Sequence, residues 1–142
     1  MYDALPKNER SFYIDLDGED TGVKYQGTFV VKCVLDMGGR HSEELEKTRL
    51  MADYANPSDG LYGIAVTLSK LRARIVDSPE WWKQSGGGTT IIDDNIILHL
   101  FSECERLEKE WRTELKAKAA PPPEETPPKA APAAGETPQG NV

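Results

Sequence analysis

His41 and His99, Cys33 and Cys104, the acidic run "DLDGED" (15–20) and the triplet Gly86-Gly87-Gly88 are the places where residue type could support chemistry. None has the spacing its chemistry needs. The acidic run lacks a third ligand before the glycine and the bidentate Glu that closes an EF-hand loop, so no Ca2+ site is expected. The two histidines are far apart, with no nucleophile motif around either, and read as exposed or capping side chains rather than part of a Ser-His-Asp set. The cysteines have no CxxC and no His beside them in sequence and read as reduced, buried thiols. A P-loop requires GxxxxGK[ST] after a buried strand. "GGGTTIIDD" has no Lys and would meet a phosphate with carboxylates, so the glycines read as a flexible hinge. The expectation is a chain with no catalytic, cofactor-binding or metal-binding residue.

With 142 residues, 24 acidic against 17 basic side chains and a formal net charge of -7, the chain is a poor match for phosphate backbones, which are bound by clustered Lys and Arg. No apolar run approaches the roughly 20 residues that span a bilayer, and "MYDALPKNER" lacks a secretory layout, so a cytoplasmic address without membrane or nucleic-acid partners is expected.

The elements that would position any site follow from periodicity. "SFYIDL" and "VKYQGTFVVKCVLD" alternate every second residue; Val23, Tyr25, Phe29, Val31, Cys33 and Leu35 would share one face, and Lys24, Gln26, Thr28, Lys32 and Asp36 the other. The turn formers "DGEDTG" between them predict a hairpin over 11–36, with Gly27 as a bulge candidate. Ser42 is the expected N-cap of a helix over about 42–55 that Asn56-Pro57 stops. Leu61, Ile64, Leu68, Leu71 and Ile75 mark a second helix over 59–77, whose polar side carries a basic patch of Lys70, Arg72 and Arg74. Ile97, Leu100, Phe101, Cys104, Leu107, Trp111 and Leu115 stripe a third over 91–117, started by Thr90-x-x-Asp93 as a capping box or by Asp93 or Asp94 directly. Glu105–Lys109 and Glu108–Arg112 are expected as i,i+4 pairs on it. The fold class is therefore α+β: residues 1–10 as an arm, and one domain over 11–117 in which a short N-terminal antiparallel hairpin packs on about three α-helices. A disordered tail follows over 118–142, holding seven of the ten prolines.

"SPEWW" (78–82) reads as a capped helix start, with Ser78 at N-cap and Pro79 at the first helical position. Neighbours on a helix point about 100° apart, so Trp81 and Trp82 are not expected to enter the same core. One ring should pack beneath the domain while the other faces a different surface. With the glycines as a hinge, the aromatic turn would swing relative to the last helix.

The order of "SPEWW", a Gly-containing gap, "DDNII" (93–97) and a charged helix with Trp111 resembles the tail assembly chaperones of long-tailed bacteriophages. That resemblance implies a non-enzymatic protein of the host cytoplasm, an oligomer, that binds and solubilises the tape measure protein, with the tail tube protein as a second candidate partner. On it Trp81, Trp82, Asp94, Asn95 and Trp111 become the partner-binding residues. The clear N-terminal hairpin departs from the mostly helical family, and a structural virion component, such as a small head–tail adaptor or connector, is the alternative.

Overall fold

A computed structural model describes residues 5–52 and 58–119. Strands β1 (Glu9–Asp17) and β2 (Lys24–Lys32) pair antiparallel in unbroken register, Phe12 opposite Phe29 and Ile14 opposite Gly27. Helix α1 (Met37–Met51) leads to α2 (Asp59–Arg74), and the chain then extends into β3 (Ile75–Asp77), antiparallel to β2. Short α3 (Glu80–Gln84) and long α4 (Asp94–Ala119) complete an α+β fold which, among the described residues, has a three-stranded sheet in the order β1-β2-β3 and four helices.

The inner face of the sheet carries the predicted side chains. Phe12, Ile14, Phe29, Val31 and Cys33 are buried with Leu68 and Leu71 of α2, Trp82 of α3, and Ile96, Ile97, Leu100, Cys104, Leu107 and Trp111 of α4. Val23, expected on that face, is exposed in the turn instead. The α4 stripe is as expected save that Phe101 and Leu115 are only half-buried, and the helix continues to Ala119, two residues past the predicted end. Glu108 pairs with Arg112 at 2.9 Å, whereas the other exposed pairs centre on Arg106, which binds Glu103 and Glu110.

Several boundaries differ, each for a tertiary reason. Helix α1 starts five residues before Ser42, because the Asp36 carboxylate caps it by accepting from the Gly39 amide at 2.8 Å. Glycine at 39 eases that start: a methyl group would stand 3.0 Å from the Leu35 side chain, which would have to give way. The second helix stops at Arg74 rather than continuing to 77, since Ile75 turns extended (ψ 119°) to give β2 a second neighbour. The bulge falls in this β2–β3 pair, between Val30 and Val31, and not at Gly27. Gly27 instead lets Pro79 lie directly on the backbone. Residues of the predicted arm are tied in: Pro6 accepts from the Trp111 indole at 3.0 Å, and Asn8 bonds both backbone groups of Val34. The predicted stop at Asn56-Pro57 and the tail beyond Ala119 lie outside the described residues. Among the described residues no helix is long and apolar enough to cross a membrane.

Candidate partner-binding site

The aromatic turn begins at Pro79, which serves as the N-cap of α3 without a side-chain cap; Ser78 is held by the Asp77 carboxylate instead of capping the helix. Trp82 points into the core. Trp81 lies half-buried at the rim of the sheet and donates its indole N–H to the Gln26 carbonyl at 2.8 Å, covering the part of the β2 edge that three-residue β3 leaves open. Both rings meet Phe29 edge-on, at centroid distances of 5.5 and 5.8 Å. Trp82 is thus the core ring and Trp81 stays half-exposed at the rim, but the two are not separated as expected: side chains 100° apart straddle one large ring, Phe29.

The glycines are not a hinge. All three have positive φ (67°, 69° and 93°), and every amide is used: Gly86 bonds the Lys83 carbonyl, Gly87 that of Trp82, and Gly88 the Ser85 hydroxyl. The carbonyls of Gly86 and Gly87 accept from the Arg72 guanidinium, which also binds Thr89 and, at 2.8 Å, Glu46 of α1. This loop presents oxygens to a cation where a phosphate loop would present amides to an anion. A methyl at Gly88 would stand 2.6 Å from Leu68 and 2.9 Å from Trp82, so only glycine fits that crossing. The basic patch predicted on α2 is likewise consumed internally: Arg74 pairs with Glu43 at 3.0 Å, and Lys70 approaches the same carboxylate at 3.8 Å.

At the start of α4, Asp93 is fully buried and turned away from the helix amides it was expected to cap. Its carboxylate accepts from the amides of Asp20 and Thr21 at 2.8 and 2.9 Å, the Thr21 hydroxyl at 2.6 Å and the Tyr25 hydroxyl at 2.9 Å. Thr90 likewise forms no capping box; its hydroxyl bonds the Ser85 carbonyl. Asn95 adds two bonds to the same turn, accepting from the Glu19 amide and donating to the Asp17 carbonyl. Of the acidic run "DLDGED" only the Asp20 amide reaches Asp93, Thr21 just beyond it supplying two more donors, and Gly18 is small because Asp93 fills the space beside it. The Thr21 hydroxyl above all, then the Thr21 amide, the Tyr25 hydroxyl and the Asp20 amide, hold Asp93 below the ordinary carboxylate range against the opposing effect of burial. Burial and the Asp93 bond raise the Tyr25 phenol in turn.

Tyr25 joins the two clusters, since its ring also stands edge-on to Trp81 at 5.0 Å. Trp81, Trp82 and Asn95 therefore come together at the hairpin-turn end, and Asp94 stands beside Asn95 with its side chain exposed. Trp111 is buried 17 residues further along α4, about 25 Å at 1.5 Å per residue. Sequence reasoning missed Tyr25, Arg72 and Asp93 as the joints of this region. Their partners lie far off in sequence, Thr21 72 residues from Asp93 and Gly86 14 from Arg72, so no local spacing signals them.

Cys33 and Cys104 are both buried free thiols, as expected, and burial raises both, Cys104 to about 12. A thiol that titrates so high is a poor nucleophile at neutral pH. Among the described residues no group of His, Cys, Asp and Glu is arranged to hold a metal ion. Comparison with known protein families, curated proteins and solved structures gives no match.

Proposed function

We propose that the chain is a non-enzymatic tail assembly chaperone of a long-tailed bacteriophage that binds the tape measure protein in the host cytoplasm. The resemblance of "SPEWW" and "DDNII" motivates this reading. The observation that carries it is the surface around the second segment: Ile92 and Leu98 are 66 % and 54 % exposed on either side of exposed Asp94. Large apolar side chains held in water beside a carboxylate suit contact with an amphipathic helix that has an apolar stripe and a basic flank. Trp82, Asn95 and Trp111 are engaged inside the fold, so of the five candidate residues only Trp81 and Asp94 are open to a partner, with Ile92 and Leu98 exposed near Asp94 in the chain. The chain's net negative charge would keep a complex with an aggregation-prone partner in solution.

Co-purification with the tape measure protein of the same phage tests the reading. Leu98→Glu should change Tm by no more than about 2 °C, as exposed substitutions do, and weaken capture at least tenfold. Unchanged capture would remove this surface, and no capture by the parent chain would remove the partner. The three-stranded sheet, a departure from a mostly helical family, favours a second reading, a head–tail adaptor or connector. Mass spectrometry of purified particles separates the two: a chaperone is absent, whereas an adaptor is present at fixed copy number.

A further inference from the structure

Helix α1 is attached to the fold unlike the other long helices. It packs chiefly on α2, has no buried residue, and leaves Leu45 and Met37 largely in water. Its main apolar foothold is half-buried Leu50, which with Leu61, Ile64, Ala65, Leu68 and Thr89 lines a shallow hollow of about 200 Å3. The remainder of the seam is ionic. Glu43 and Glu46, one turn apart, meet Arg74, Lys70 and Arg72, and the four side chains of the two close pairs are only 14–20 % exposed.

The cations are anchored independently of α1. Arg72 is held by the Gly86 and Gly87 carbonyls and Thr89, and Arg74 by the Lys70 carbonyl, with Glu108 of α4 at 3.9 Å. If α1 moves away, a preformed basic row stays in place beside Leu61 and Ile64. We propose that α1 is a displaceable internal ligand, and that the α2 face beneath it docks an amphipathic partner helix carrying carboxylates three residues apart and an apolar residue seven positions after the first, the spacing of Glu43, Glu46 and Leu50. The identity of the partner rests on the chaperone reading; the surface rests on the α1–α2 seam alone.

Hydrogen exchange on the unmodified full chain gives the first test. Amides of α1 should exchange at least about tenfold faster than those of α2 and α4, and faster still when salt rises from about 0.05 to about 0.5 M, because the seam is ionic. Protection of α1 equal to that of α4 overturns the proposal. In a second test, a fluorescein-labelled peptide of residues 36–52 is titrated against the parent and Glu43→Lys/Glu46→Lys. The variant should bind at least tenfold more tightly, and adding Arg72→Glu should abolish the gain. Equal binding by parent and variant, including none by either, overturns it. All three tryptophans lie outside α1, so their near-UV signal reports whether the variant is folded, and if that signal is lost the exchange result decides. Capture of the tape measure protein that excess peptide does not reduce would remove the surface and leave the chaperone reading. Peptide binding without such capture would do the reverse.

Discussion

Asp93 concentrates at one carboxylate what most of the hairpin turn needs. Its four donors come from residues 20, 21 and 25, so Asp93→Ala leaves several of them without their acceptor and should lower Tm by roughly 10 °C or more. Asp93→Asn keeps one oxygen for the two amides and should lose about half as much, measurable by the same thermal melts. Because the folded protein holds Asp93 below its ordinary value, its contribution is complete above about pH 4 and is lost as pH falls through the folded pKa. The acid limb of the Tm against pH curve should accordingly be shallower in Asp93→Asn than in the parent. Glycines give a matched pair. Gly88→Ala meets both a positive φ and two side chains and should cost about 3 kcal/mol, whereas Gly22→Ala, at φ 75° with open space around it, should cost about 1 kcal/mol in urea denaturation. A freely moving hinge would give small and equal values.

At the scale of elements, strands and helices were legible wherever one face was apolar for several periods. The β2 alternation and the α4 stripe are of this kind, each fixed by a period of 2 or 3.6 that survives any packing. Strand β3 was not legible, because Ile75 continues the α2 stripe in sequence, and only the open edge of β2 makes extension preferable there. The start of α1 was hidden for a related reason: Gly38 and Gly39 argue against a helix until the Asp36 cap and the close approach to Leu35 are known. The tight turn of α3 places a large core side chain on a five-residue element, so Trp82→Ala should cost about 3–5 kcal/mol and unfold cooperatively in urea. Trp81→Phe, which keeps the ring and removes the bond to Gln26, should cost about 1 kcal/mol.

Over the whole molecule, the excess of carboxylates sets behaviour in solution. Self-association detected by light scattering should rise as pH approaches the sequence pI near 4.9, where repulsion between copies vanishes. Composition, charge and hydropathy period by themselves determined the α+β class, the inner face of the hairpin, the stripe of the last helix and two inert buried thiols. All of these depend on the local alternation of polar and apolar side chains. What each polar residue of the middle segment is for was decided only by tertiary structure. Arg72 on the predicted basic patch became the anchor of the triple glycine. Asp93 in a predicted cap became the acceptor for a turn some seventy residues earlier in the chain, and two tryptophans expected on separate surfaces closed on Phe29. Hydrogen bonds and ring contacts of that kind join residues whose separation in sequence carries no periodic signal, so their partners emerge only when the chain has brought them together.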